Sequence, residues 1–307
     1  MNNYLEVVST LAVSKLKGIG PVKARNILQN LNGHLSDELD PEEFIRQLLP
    51  SDADLVGLGL ERALEAATNT VEFCQENNIQ IVSFGCNSYP KRLNDAANNM
   101  PVALFIRGNP ERIHDSTIIA VVGTRDPSDW GQEVCRRITS TLVGRDATIV
   151  SGLALGCDQI AHSQTIKNGG KTIAVMPCGL DVVHPKTNTA LAEEILEADG
   201  CLVSEYFPGV TARREYFVQR NRIQSGLSQG VIVVETGKKG GTMTTAQLCL
   251  KHGRQLGVVD PSSSRNLNCG LGNQSLIATG KVIKLSDRES VIDFVDSFGS
   301  NLSGTAA

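Results

Sequence analysis

Ile118-Ile119-Ala120-Val121-Val122-Gly123-Thr124-Arg125 decides the fold. The five apolar residues, mostly β-branched, predict a strand buried on both faces, and Gly-Thr-Arg breaks the run where such a strand leaves its sheet. Open parallel sheets bind ligands just beyond the carboxyl ends of their strands. There Gly123 permits close backbone approach, Thr124 offers a hydroxyl, and Arg125 offers a forked cation suited to phosphate. A strand end carrying a solvated arginine accounts for this segment equally well, so its neighbours have to decide.

Those neighbours repeat the theme. Further strands are expected at 147–150, 172–176, 201–204, 230–234, 255–259 and 281–285, with helical periodicity between them, as from Val134 to Leu142 and Ala190 to Ala198. Such alternation predicts an α/β protein with a parallel sheet covered on both faces. Upstream, Ile79 to Phe84 and Pro101 to Gly108 read as two more strands.

Residues 5 to about 72 read as small and helical. Leu16-Lys17-Gly18-Ile19-Gly20-Pro21-Val22-Lys23-Ala24-Arg25 predicts a tight turn, with Pro21 at a first helical position. It resembles a helix-hairpin-helix, whose turn amides hold a phosphate in DNA-binding proteins. Gly18, Gly20, Lys23 and Arg25 are therefore candidates for an auxiliary DNA contact, and packing between helices is the alternative. A weaker echo stands at Leu55 to Ala63.

The chain of 307 residues carries 20% charged residues, 41% hydrophobic residues and a net charge of −4, which gives no global support for nucleic-acid binding. A nucleic-acid partner requires a local basic patch. No apolar run approaches the roughly 20 residues of a membrane span. The N-terminus lacks a basic-then-apolar signal layout, and the eight cysteines include no Cys-x-x-Cys pair. Free thiols, no metal, no cofactor and a cytoplasmic location are expected.

The expected strand ends carry unusual residues. Ser151-Gly152 could present a hydroxyl and free amides to an anion. Asp158 and His162, four apart, share one helix face, as an acid/base pair, a metal half-site or a buried pair locking helix to loop. The loop from Pro177 ends in Lys186 and Asn188. Four arginines (Arg213, Arg214, Arg220, Arg222) interleave with Phe207, Tyr216 and Phe217, a mixture suited to the phosphates and bases of a single strand. Gly240-Gly241-Thr242 opens a threonine-rich helix as a phosphate cradle. It lacks the Gly-Lys-Ser/Thr ending of a P-loop, and nothing here fits a Gly-x-Gly-x-x-Gly dinucleotide fingerprint.

In order, the motifs begin with Val121-Val122-Gly123-Thr124-Arg125, Ser151 to Gly156 with Asp158, Ala161 and His162, and Gly169 to Val175. Cys178-Gly179-Leu180-Asp181, Pro185 with Asn188, and Ser204-Glu205-Tyr206 with Pro208-Gly209 follow. Arg220-Asn221-Arg222-Ile223, Val233-Val234-Glu235 and Gly241-Thr242 with Thr244-Thr245-Ala246 close the series. Over roughly residues 80 to 285 it resembles the DprA/Smf family of DNA-processing proteins.

The resemblance implies an extended Rossmann-like domain with a mostly parallel sheet over 76–290. A small all-α helix-hairpin-helix (SAM-like) domain precedes it over 1–75, and 291–307 is expected as a disordered tail. It further implies a non-catalytic protein that binds single-stranded DNA in a positive pocket and helps load a RecA-type recombinase during natural transformation. Arg125 and Lys186 match the family's pocket cations, Asn221 and Arg222 lie in the matching arginine segment, and homodimer and partner contacts map to about 243–285. The winged-helix domain of some members is not expected in this chain.

An alternative is a nucleotide sensor or hydrolase, because the same sheet with a Gly-Gly-Thr turn also resembles the nucleotide-cleaving LOG proteins. Met243 to Ala246 supply no acid after that turn, which leaves Glu205 and Glu235 as the candidate carboxylates.

Overall fold

The structure, a computed structural model, describes residues 4–29, 40–50, 53–263 and 270–298. Nine strands form one sheet: β1 (Ile79–Ser83), β2 (Ala103–Gly108), β3 (Ile118–Val122), β4 (Thr148–Ser151), β5 (Thr172–Val175), β6 (Cys201–Ser204), β7 (Gly230–Val233), β8 (Gln255–Val259) and β9 (Ile283–Leu285). Their spatial order is β1-β2-β6-β5-β4-β3-β7-β8-β9. β1 and β2 pair antiparallel, as do β2 and β6, and the other pairings are parallel. The expected mostly parallel α/β sheet is therefore present, with an antiparallel margin.

β3 sits inside this sheet, and all five of its residues are buried. Ile118, Ala120 and Val122 point into one core, Ile119 and Val121 into the other. Alternation along a strand requires this division. From β3 the chain winds one way through β4, β5 and β6, and then returns to β7 on the other side. The β3/β7 boundary is thus the topological switch point, where the two connecting loops diverge and leave a crevice.

The N-terminal part holds α1 (Tyr4–Lys15), α2 (Pro21–Leu28), α3 (Pro41–Leu48), α4 (Leu55–Leu58) and α5 (Leu60–Glu76). Pro21 opens α2 as expected, and the weaker echo forms α4 and the start of α5, its Leu58 carbonyl accepting from Lys17 N at 3.0 Å. α5 ends at Glu76 and β1 begins at Ile79, but packing does not stop there. Leu11, Leu28 and Phe44 share one core with Leu104 and Phe105.

Arg25 fastens the two parts. Of the two readings open for it, DNA contact or packing between helices, the structure forms the packing: Arg25 is buried, with its guanidinium 4.0 Å over the Phe84 ring and hydrogen-bonded to Asn94 Oδ1. Asn94 lies on α6 (Lys91–Ala96). Covering apolar surface with a guanidinium face while pairing its N–H groups suits an interdomain joint. Gly18, Gly20 and Lys23 remain exposed at the turn.

The remaining helices are α7 (Asp129–Val143), α8 (Cys157–Lys167), α9 (Thr189–Glu197), α10 (Arg214–Leu227), α11 (Gly241–Lys251), α12 (Leu271–Ile277) and α13 (Arg288–Asp296). α7, α8 and α13 cover one face of the sheet, while α10, α11 and the N-terminal helices cover the other. The expected tail from 291 begins inside α13, which Asp287 and Ser290 start with a capping box. Val291, Phe294 and Val295 are buried against β7 and β8 neighbours, so 291–296 belong to the fold. Residues 299–307 lie outside the described residues.

The described cysteines are free thiols, and Cys269 lies outside them. Among the described residues no helix is long and apolar enough to cross a membrane. Nor do three or more His, Cys, Asp or Glu side chains gather to hold a metal ion.

Candidate nucleic-acid interface

A cavity of about 810 Å³ opens beyond the carboxyl ends of β3, β4 and β7, at the switch point. The β3 exit contributes Gly123, Thr124 and Arg125, and the β7 exit contributes Thr236 to Thr242 apart from Lys238. Helix α10 and the residue before it contribute Arg213, Phe217, Arg220, Asn221 and Gln224, whose spacing is that of one helix face. Among the described residues lining it, five are Lys or Arg (Arg125, Arg213, Arg214, Arg220, Lys239) against one carboxylate, Asp158. A chain of net charge −4 thus concentrates positive charge at one edge.

The mouth combines cation and ring. The Arg125 guanidinium carbon lies 5.0 Å from the centre of the Phe217 ring, and His184 meets the same ring edge-on at 5.3 Å. Nearby, Tyr206 and Tyr216 stack at 4.4 Å, with Arg213 5.8 Å from Tyr216. Ring faces beside guanidinium groups match a ligand that alternates flat bases and phosphates. The first-turn amides of α11, from Gly241 to Met243, have no acceptor within the helix and lend positive potential to the opposite wall.

Buried hydrogen bonds hold these loops. Thr124 N donates to Glu235 O at 2.8 Å, Cys157 N to Thr124 O at 3.1 Å, and Thr242 Oγ1 to Gly123 O at 2.8 Å. Gly156, at φ +77, lies under this turn, where a Cβ would come within 2.6 Å of the Thr124 and Arg125 carbonyl oxygens. Only glycine meets both demands. Asp158 Oδ2 accepts from Gly152 N at 3.1 Å, while Arg220 donates to Gly152 O at 3.1 Å. A buried acid and a buried base thus grip one residue through its N–H and its C=O. Burial raises the Asp158 pKa against the opposing pull of Arg220, and it lowers that of Arg220. A Cβ on Gly152 would stand 1.6 Å from the Arg220 guanidinium, so glycine is what lets it in.

His162 does the same for the next residue. Leu153 N donates to Nε2 at 3.3 Å, so Nδ1 carries the proton toward Thr172 Oγ1 at 2.7 Å, whose hydroxyl donates to Ile149 O at 2.8 Å. Of the readings open for Asp158 and His162, the lock between helix and loop is the one this geometry forms. Burial, then Arg220, pushes the His162 pKa down to about 3, and burial pushes that of His252 down to about 4. The folded state thus refuses protons that the unfolded chain accepts near pH 6.5. The linked stability is complete above pH 6.5 and is lost as the pH falls toward those depressed values. Between pH 6.5 and 5, each histidine should add a slope approaching 1.4 kcal/mol per pH unit to the unfolding free energy. Denaturant titrations across that window check this, and His162→Gln should remove its share.

The other candidates divide. Gly123, Thr124, Arg125, Arg220, Asn221, Gly240, Gly241 and Thr242 line the cavity. Gly152 lies behind Arg220, and Ser151 is buried with Oγ donating to Val121 O at 2.7 Å, and neither lines the cavity. Asn188 is buried and donates to Leu153 O at 2.8 Å. Lys186 is exposed on a short turn, Lys186–Asn188, outside the cavity lining, where His184 stands instead.

Arg222 departs furthest from expectation. It stands two positions after Arg220, which is about 200° around a helix. It faces away from the cavity and clamps Glu205 with two bonds of 2.6 Å, its Nε donating to Asn99 O at 2.9 Å. Burial lowers its pKa and the Glu205 pairing more than reverses this. Glu235 accepts from Ser128 N and Oγ at 3.2 and 2.8 Å at the start of α7. Both carboxylates on which the nucleotide-hydrolase alternative depended are thus committed elsewhere. Lys239 and His184 were not singled out as contacts, although Lys239 adjoins the Gly240-Gly241 signal that could have flagged it.

Comparisons with known proteins agree with this architecture. The family model described as DNA recombination-mediator protein A matches residues 66–296. Protein Smf of Escherichia coli (strain K12) is 39% identical over 182 residues, covering 59% of this chain and 48% of the relative. Protein Smf of Synechocystis sp. is 32% identical over 287 residues, covering 91% of this chain and 70% of that protein. The chain therefore spans about half the length of the first relative and more of the second. The X-ray structure of DNA processing protein A from Streptococcus pneumoniae superposes with a TM-score of 0.72 at 28% identity, covering 95% of this chain and 98% of that one. A structure describing the single-stranded DNA binding mode of the Helicobacter pylori protein gives 0.62 at 27% identity, covering 72% and 97%.

Proposed function

The chain belongs to the DNA recombination-mediator protein A (DprA/Smf) family, and on that premise we propose that it binds single-stranded DNA without sequence preference in the switch-point cavity. The observation that carries this reading is the Arg125 guanidinium beside the Phe217 ring, in a basic cavity whose only lining carboxylate among the described residues is engaged with Gly152. In this reading Arg125, Arg213, Arg214 and Lys239 contact phosphates, and Phe217 with His184 offers faces to unstacked bases. Arg220, Asp158 and His162 hold the floor. No side chain has to change protonation, and the role is binding rather than catalysis.

The same reading includes handing the strand to a RecA-type recombinase in the cytoplasm, with a homodimer and the recombinase contact formed within 243–285. The family's recombination-mediator description supports this, and the segment borders the cavity through α11. The test is a competition between oligothymidylate and duplex of equal length, followed by timing recombinase assembly on the bound strand. Single strands should compete more than tenfold better. At about 0.7 per phosphate contact, the four exposed cations give a log–log salt slope of about −3. Duplex competing equally well would remove the single-strand assignment, and unchanged assembly times would remove the mediator role alone.

A further inference from the structure

We propose that the bound single strand continues past Arg125 into a second basic trough between α7 and α8; this rests on the single-strand reading of the cavity. Arg125 lines both the cavity and a separate depression of about 550 Å³. Gln159, Ser163 and Lys167 line it from α8, at spacings that place them on one helix face. Across from them stand Gln132 and Arg136, one turn apart on α7. A strand leaving the Arg125 guanidinium therefore meets a polar channel flanked by two further cations.

The channel is suited to a phosphate chain. Gly156 to Lys167 extends about 16 Å along α8, long enough for several nucleotides. Lys167 is exposed and takes part in no ion pair among the described residues. Arg136 is partly held, with Nη1 3.7 Å from Glu133 and Nη2 donating to Gln132 at 3.4 Å, so one carboxylate shares its charge. Asp126 lies at the entrance and opposes an anion there. Among the described residues no aromatic ring lines the trough. Binding within it would thus be electrostatic and indifferent to base, unlike the ring-bearing cavity.

Length dependence separates the two sites. Affinity and salt slope are measured for oligothymidylates of about 5 and about 15 nucleotides, on the intact chain and on Arg136→Ala/Lys167→Ala. The short strand should bind both proteins equally, which also reports that the variant is folded. The long strand should lose about tenfold in affinity, with a salt slope shallower by about 1.4 for two lost contacts. Unchanged long-strand binding overturns the trough and leaves the cavity standing, and so does an equal loss for both lengths. Failure of the intact chain to bind the short strand would remove the cavity reading and the trough with it. Tighter binding of oligoglutamate than of the long strand, abolished in the variant, would reassign the trough to an acidic peptide.

Discussion

Arg125→Ala is expected to weaken oligothymidylate binding by about thirtyfold at low salt, as loss of a charge-assisted phosphate contact of about 2 kcal/mol requires. Arg125 is exposed and at the cavity mouth, so the thermal midpoint should not move. The salt slope should become shallower by about 0.7. Arg125→Lys separates charge from shape. It keeps the cation but loses the planar fork that lies beside Phe217 and grips two phosphate oxygens, so it should recover only part of the affinity. Fluorescence anisotropy on a labelled strand reads the affinities and the salt slope, and a thermal melt of the free protein reads the midpoint. Wild-type affinity in Arg125→Ala would sink the assignment, because among the described residues no other exposed cation is placed beside the Phe217 ring in this way.

Arg222→Ala should behave in the opposite manner. Its side chain is almost wholly buried and pairs with an equally enclosed Glu205, so removing it strands a carboxylate in the interior. The expected cost is about 3–5 kcal/mol of stability, read as an earlier denaturant midpoint with unchanged steepness. Removing both charges, as in Arg222→Met with Glu205→Gln, should restore most of the loss, since the penalty comes from the orphaned charge more than from the missing attraction. At a temperature where Arg222→Ala is folded, its affinity for oligothymidylate should stay close to wild type. Weak binding with intact stability would instead return Arg222 to the DNA site.

These two arginines mark how far the chain's letters carry. Arg125 follows a buried strand, and any parallel sheet places such a residue at its ligand-binding edge. Arg220 and Arg222 sit in one motif and look equivalent as letters, yet helical rotation sends them to opposite sides of α10. Arg25 looked like a hairpin cation, and only the packing of α2 against Phe84 and Asn94 shows it as a joint. The helix over 288–296 was missed because its short apolar set, Val291, Phe294 and Val295, gains its partners from distant strands. Lys186 remains exposed but lies outside the lining, where the loop puts His184.

What the sequence determined by itself is local and periodic. Apolar runs set the strands, the alternation of strand and helix set the parallel sheet, and glycines at strand ends marked the loops that form the cavity. These features depend on neighbours along the chain, where steric preference and side-chain spacing suffice. Tertiary structure decided which polar residues face a ligand and which face one another. Asp158 and Arg220 grip Gly152, His162 holds Leu153, and Glu205 holds Arg222, because a buried charge or dipole must find its partner inside the fold. Partners separated by up to 68 residues, as Gly152 and Arg220 are, meet only once the sheet has assembled.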